Sequence, residues 1–399
     1  MKILCVWGRH NYGDPARGES YECVNFLPAL SALGHHVTFF ETWDRRSYAD
    51  FGELNCQLLR RVEEVRPDMV FTVLLGYEVW LETLDLIRGA LGCPVLNWGT
   101  DDSWKYAQFS RFIAPHVDRY ATTYESALER FRTDGIRNAV LTQWAASSAA
   151  LREPAPAAAC EYPVSFVGTA YGRRARWIDE LAQRGVKVEC FGHGWPNGPV
   201  AAERIPEIIR SSVISVNFSE AGPGSAAARQ IKARVFEVPG SGGFLLTETA
   251  PGLERFYLPD IEIGTFETLD ELATKVRHYL TDKEARNRVA QAGHARTRQQ
   301  HTYEKRFSQL LAGIELTTAR QISIEQACRK IDALAARHRA RAWERMLASA
   351  LTAPASVVWG RRRGPRAARR FLFELSWRVA GERTYSSRGC PGRLFYAES

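Results

Sequence analysis

QIKARVFEVPGSGGFLLTE, residues 230–248, contains two elements and the break between them. Its first half sets Lys232, Arg234 and Glu237 within two helical turns. Pro239 to Gly243 then stops the helix, and the apolar run that follows reads as a buried strand. A helix that passes at once into a buried strand is the repeating unit of a parallel sheet with crossover helices. Neighbouring cations at a helix start suit a diphosphate, because the orphan backbone N–H groups and both side chains oppose its charge. Glu237, one turn further on, can accept both hydroxyls of a ribose. A surface helix whose charges are simply solvated accounts for the same spacing equally well.

The alternation extends outward in both directions. On the near side lie PVSFVGT (163–169), VKVECFG (186–192), VISVNF (213–218), GGFLLTE (242–248) and IEIGTF (261–266), followed by a long helical stretch over 267–295. Further upstream come KILCVW (2–7), HVTFFE (36–41), DMVFTVLL (68–75), CPVLNW (93–98), RYATTY (119–124) and AVLTQW (139–144). Residues 18–33 have helical spacing and end at Gly34, a natural C-cap. Between the two series LREPAPAAAC (151–160) loses all periodicity and reads as a linker. The expectation is an α/β protein of two Rossmann-like domains, 1–155 and 156–315, with parallel sheets facing across a cleft and ligand beyond the strand C-termini.

Residues 316–399 lose the strand signal and are expected to form a basic helical extension. Ile324, Ala327, Cys328, Ile331, Leu334, Ala335, Ala342 and Met346 mark one amphipathic helix. The net charge of +8 invites a nucleic-acid reading, but the extension alone carries +11 and residues 1–315 carry −3. No basic field covers the body, which argues against nucleic acid. RRRGPRAARR (361–370), flanked by Val357, Val358, Trp359, Phe371, Leu372, Phe373, Leu375 and Trp377, suits an anionic membrane surface as a short interfacial helix. Packing back on the body, or a dimer helix, suits it equally. No apolar run approaches the roughly 18 residues that span a bilayer, and MKILCVW reads as a first strand rather than a secretory signal. Eight scattered cysteines with no CxxC pair point to a reducing cytoplasm.

Other candidates sit at strand ends. HNYGDPARGES (10–20) joins the first strand to the first helix, with Gly13 and Gly18 relieving backbone crowding and Arg17 and Glu19 available for polar contacts. NWGTDD (97–102) would carry Asp101 and Asp102 into the cleft as a general base or to orient a sugar hydroxyl, while helix capping is the commoner role for either aspartate. His193, between glycines in FGHGWPNG (191–198), is a candidate polarising or acid/base group. GPGSAA (222–227) after the VISVNF strand is a weak phosphate-loop signal. Asn217-Phe218-Ser219 matches a glycosylation acceptor but falls inside an expected strand. No second cluster of hard ligands accompanies the aspartates, so no metal site is expected.

FVGTAYGRRARWIDEL, CFGHGW, NFSE, QIKARVFEVPGSGGFLLTE, PGLERFY and QQHTYEKRF together resemble the spore maturation protein CgeB-like glycosyltransferases, relatives of the group 1 (family 4-like) enzymes. The resemblance covers about residues 1–312. It implies the GT-B fold, with the donor nucleotide held mainly by the C-terminal domain, the acceptor by the N-terminal one, and no required metal or other cofactor. By that resemblance Glu237 binds the donor ribose, Arg173 or Arg174 contacts the diphosphate, and NWGTDD lies near the reacting centre. Asn217 and Thr247 join Gly13, Lys232 and Arg234 as expected donor contacts. Group 1 enzymes often carry a second glutamate eight residues before the ribose-binding one, and here that position is Arg229.

The expected activity is glycosyl transfer from a nucleoside-diphosphate sugar to a sugar, lipid-linked or protein acceptor, in cell-surface polysaccharide or glycoconjugate synthesis. The expected place is the cytoplasm or the inner membrane face. A sugar-nucleotide epimerase would alter UDP-sugar with no acceptor present. A non-catalytic scaffold of polysaccharide assembly would bind no nucleotide.

Overall fold

The computed structural model describes residues 1–221, 229–314, 321–337 and 339–399. The GPGSAA turn and the expected 315/316 boundary lie outside the described residues. The first parallel sheet contains β1 (Lys2–Trp7), β2 (His36–Glu41), β3 (Met69–Thr72), β4 (Val95–Gly99), β5 (Arg119–Thr122) and β6 (Ala139–Leu141), in the order β2-β1-β3-β4-β5-β6. The second contains β7 (Tyr162–Val167), β8 (Glu189–Phe191), β9 (Ser212–Asn217), β10 (Leu245–Glu248) and β11 (Gly264–Phe266), in the order β11-β10-β9-β7-β8. Each of the eleven strands coincides with an expected run, though β4, β7 and β9 each reach one residue beyond theirs, at Gly99, Tyr162 and Ser212. The runs were too long where turn residues carry apolar side chains: Ile261 lies in a turn ahead of β11, with Asp260 at φ 59°.

Both sheets wind the same way. In each, the chain returns past its first strand to lay down the third, so the order reverses between β1 and β3 and again between β7 and β9. Loops diverge at such a switch point and leave a crevice beyond the strand carboxyl ends.

The chain divides into two compact units, one of residues 1–23, 34–141 and 312–399, the other of 24–33 and 142–311. The 316–399 extension therefore belongs with the first sheet. Its helix Ile324–Arg337 buries Ile324, Ala327, Cys328 and Ile331 in the core around Leu54, Leu58 and Val62 of the helix Phe51–Val65. A Cβ at Gly52 would lie 2.6 Å from Ala335 Cβ, so the two helices touch where only hydrogen fits. The expected single amphipathic helix is two: Ala342 and Met346 belong to the next helix, Ala342–Trp359.

In the second unit the residues read as a linker are part of the core. Arg286, fully buried on the helix Lys283–Gln300, donates to the carbonyls of Val213 at 2.7 Å, Ala155 at 2.8 Å and Ser212 at 2.9 Å. One guanidinium thus ties strand, helix and the 151–160 segment together. Asn217, Phe218 and Ser219 are all buried at the end of β9, which removes the glycosylation match. No described helix is long and apolar enough to cross a membrane.

Candidate functional site

The second switch point gathers charge. After β7 the loop 168–172 turns into the helix Arg174–Gln183, with Gly172 at φ 59°. A Cβ there would sit 2.1 Å from Glu220 Oε1, so glycine is what lets the buried Glu220 carboxylate lie over the loop. Glu220 accepts the Arg173 backbone N–H at 3.1 Å. The Arg173 guanidinium stacks on Trp177 and pairs with Glu248, whose side chain is fully buried at the end of β10. Glu248 Oε2 also accepts the Ser219 N–H at 2.9 Å, and Arg229 Nε lies 3.4 Å from its other oxygen.

Lys232 and Arg234 join the same edge. Lys232 Nζ donates to the Ala221 carbonyl at 2.9 Å, and Arg234 Nε to the Val167 carbonyl at 3.0 Å. The Arg234 guanidinium is also paired with Glu237 on the short helix Arg234–Gly240. Both cations are thus held by carbonyls, one at the end of β7 and one in the loop after β9, and are only partly buried. Five cationic side chains, Arg173, Arg174, Arg229, Lys232 and Arg234, stand with three carboxylates, Glu220, Glu237 and Glu248. The excess is positive.

Several expected contacts prove to be structural. Arg174 is buried, donating to the Thr169 carbonyl at 2.9 Å and the Tyr171 hydroxyl at 2.8 Å, so it shapes the loop rather than facing a ligand. Asn217 Nδ2 donates to Thr247 Oγ1 at 2.9 Å with both side chains buried, a clasp between β9 and β10. His193 is exposed; its carbonyl accepts the Ala170 N–H at 2.8 Å. Beside it Gly192 has φ 128°, and a Cβ there would strike the Gly168 carbonyl oxygen at 2.3 Å. The 192–198 loop is thereby pressed onto the 168–172 loop.

In the first unit Gly13 has φ 69° and packs against the Trp43 carbonyl. Asp101 keeps a third of its side chain exposed, 3.4 Å from Lys105 Nζ. Asp102 points inward instead: it is 3% exposed and accepts from the hydroxyls of Ser110 and Tyr120, the latter at 2.9 Å. Burial pushes its carboxyl above the usual range. It is removed as a base open to an acceptor, because a strand-end carboxylate followed by a helix has folded under its own helix start.

Three acids went unread in the sequence. Glu248 ends the apolar strand β10 and Glu220 lies three residues past β9, placements whose cost of burial was the available signal. Glu22, in the first turn of the helix Tyr21–Ala32 beyond β1, shows no motif at all. Burial foremost, with the Asp101 charge adding, pushes Glu22 up to about 7.

With this geometry in view, residues 173–312 match the family described as "Glycosyl transferase-like". The match opens on Arg173 and takes in every charged group named at the second switch point, while the uncharged 168–172 loop lies just before it. The fold as a whole is the GT-B fold of solved glycosyltransferases. It is similar to sucrose-phosphate synthase from Thermosynechococcus elongatus, at 12% identity over 84% of this chain and 100% of that one, with a TM-score of 0.56. It is similar also to HepE from Anabaena in complex with UDP-glucose, at 13% identity over 79% and 100%, TM-score 0.53. A third similarity is to a glycosyltransferase from Rickettsia africae, at 9% identity over 78% and 97%, TM-score 0.53. No curated protein sequence is matched.

Proposed function

We propose that this chain transfers a hexosyl group from a nucleoside-diphosphate sugar to an acceptor hydroxyl, as a CgeB-like enzyme that needs no divalent cation. The observation that carries the reading is the positive excess at the β7/β9 switch point, on the segment that matches a glycosyl transferase-like family. Charge develops on the leaving diphosphate as the glycosidic bond breaks. Cations already fixed by carbonyls and by Glu248 stabilise it without reorganising, which is the main source of electrostatic catalysis. Arg173, Lys232 and Arg234 take that role. Glu237, held through one oxygen by Arg234, offers the other to a ribose. UDP is the first nucleotide to try, since HepE is solved with UDP and with UDP-glucose.

The acceptor belongs to the first unit in this reading. There Asp101, and Glu22 with its raised pKa, are the carboxylates suited to take a hydroxyl proton in an inverting transfer. A retaining transfer needs no such base, and the two residues would then orient the acceptor. A sugar, lipid-linked or protein acceptor, a cytoplasmic setting and a part in polysaccharide or glycoconjugate synthesis complete the proposal.

Calorimetric titration with UDP, GDP and their sugars, followed by product analysis with and without acceptors, tests it. Nucleotide binding with acceptor-dependent release of nucleoside diphosphate is expected. Absence of any nucleotide binding makes the chain a scaffold. Alteration of the donor sugar with no acceptor makes it an epimerase.

A further inference from the structure

The helix Ala342–Trp359 carries its largest side chains on the face that nothing in the described residues covers. Its inward positions, Ala348 and Ala355, are small, and with Leu351 they pack on Ala367, Ala368 and Leu372 of the following helix, Gly364–Ala380. The helices approach closely, since a Cβ at Gly364 would meet Ser356 Oγ at 2.2 Å. The inner helix is anchored in turn by Phe373, whose ring lies 6.0 Å from that of Tyr77 and 6.3 Å from that of Tyr385. The outer helix therefore rides on a fixed support.

On its opposite face Trp343, Met346, Leu347, Val357 and Val358 are 55%, 72%, 53%, 86% and 69% exposed. Positions 350, 353 and 354 between them are exposed as well. These places recur at intervals of three and four, so they form one continuous stripe. Eighteen residues make it about 27 Å long. From Met346 to Gly360 the chain carries no charge. At both ends the exposed charge is of one sign: Arg339 and Arg341 before the stripe with Arg345 in its first turn, and Arg361, Arg362 and Arg363 after it.

We propose that this helix is an in-plane anchor for an anionic lipid bilayer. Trp343, Met346, Leu347, Val357 and Val358 enter the headgroup–acyl boundary, while the arginines at either end reach lipid phosphates with their stems along the apolar layer. The charge pattern decides against a second copy of the chain. In a two-fold pairing of stripe on stripe, parallel or antiparallel, arginines meet arginines at both ends. A sheet of anionic headgroups satisfies both ends at once.

The placement also corrects the sequence expectation of one short helix over 357–377. Phe373 and Leu372 face inward, and the Trp377 indole donates to Glu374. The membrane face begins instead at Trp343.

The test is flotation of the full chain with vesicles of phosphatidylcholine alone and of phosphatidylcholine with phosphatidylglycerol, with light scattering of the free protein. Two variants accompany it: Met346→Ser with Val357→Ser, and Arg361→Ser with Arg362→Ser and Arg363→Ser. All five side chains are exposed, so thermal unfolding should match the parent and serves as the folding control. Flotation with anionic vesicles only, reduced by salt and weakened about tenfold or more in each variant, is the expected result. Equal binding to neutral vesicles, no binding, variants that float like the parent, or a dimer that the Met346/Val357 variant dissociates would each overturn the proposal. None of these readings depends on catalysis, so a failure here leaves the glycosyltransferase reading untouched, and the reverse holds.

Discussion

Arg173 pairs with Glu248, joining the head of the helix that follows β7 to the buried end of β10 two strands away. The carboxylate side chain is fully buried, and among the described residues its charge is met by this guanidinium, the Ser219 N–H and the more distant Arg229. Removing one partner of such a pair strands the other. Glu248→Ala leaves the partly exposed Arg173 unpaired and the Ser219 N–H without its acceptor, and should destabilise the chain by about 1–3 kcal/mol, read as a lower urea midpoint. Arg173→Ala leaves the fully buried carboxylate to Arg229 at 3.4 Å and should cost more, up to about 3–5 kcal/mol, as well as weakening nucleotide binding. Unchanged UDP affinity in that variant would take Arg173 out of the site.

Glu237 and Arg234 act on each other as well as on a ligand. Glu237→Ala is expected to weaken UDP or GDP binding by roughly 1.5–3 kcal/mol for each charge-assisted hydrogen bond lost. Because the same change releases Arg234, the double variant should lose less than the sum of the single losses. Calorimetry on the four proteins of that cycle measures the coupling; strict additivity would show that the pair does not work as one element.

The two adjacent aspartates are expected to behave oppositely. Asp102→Asn should lower stability, because it disturbs a buried acceptor of two hydroxyls, with any loss of turnover following the loss of folded protein. Asp101→Asn should keep the melting temperature and reduce kcat. If Asp102→Asn melts like the parent but is inactive, the buried role is wrong.

Glu22 sets a pH dependence. Its carboxyl titrates at about 7, so kcat/KM for an inverting transfer should rise as pH passes through that value, and Glu22→Gln should abolish the limb. The raised value works the other way on stability: its contribution is full below about 4.5 and is lost as pH rises through about 7. A pH–rate profile identical in the variant would clear Glu22 of the chemistry.

His301, in the QQHTYEKRF segment, is a joint rather than a catalyst. Its Nδ1 faces Arg306 Nη2 at 3.0 Å, so Nε2 carries the proton and donates to the Phe256 carbonyl at 2.8 Å. Burial lowers its pKa to about 4. The neutral ring is the folded form, so its share of stability is complete above about 6.5, falls progressively below that and is lost once pH has dropped past about 4. The full span amounts to about 3 kcal/mol. Denaturant midpoints against pH should show this slope in the parent and a flatter one in His301→Gln, which can keep both hydrogen bonds.

Turnover should also survive EDTA, since arginine and lysine side chains oppose the diphosphate charge. Loss on chelation with recovery on Mn²⁺ would reverse that part of the reading.

The sequence by itself determined the two sheets. Buried parallel strands must be apolar and short, and crossover helices must be amphipathic, so strand and helix runs were legible one after another from KILCVW to IEIGTF. It also put Lys232, Arg234 and Glu237 close together, because helical spacing is local. What only the tertiary structure decided was which way each side chain turned and which distant partner met it. Asn217 and Thr247 clasp each other across two strands, Asp102 folds beneath its own helix, and Glu248 waits for an arginine 75 residues earlier. The arginine-rich tail was read as one helix because its composition is continuous; the outward stripe of Ala342–Trp359 exists only because the small residues Ala348 and Ala355 let a second helix pack so closely behind it. Periodicity fixes faces along one element, whereas burial and charge pairing depend on elements that sequence distance keeps apart.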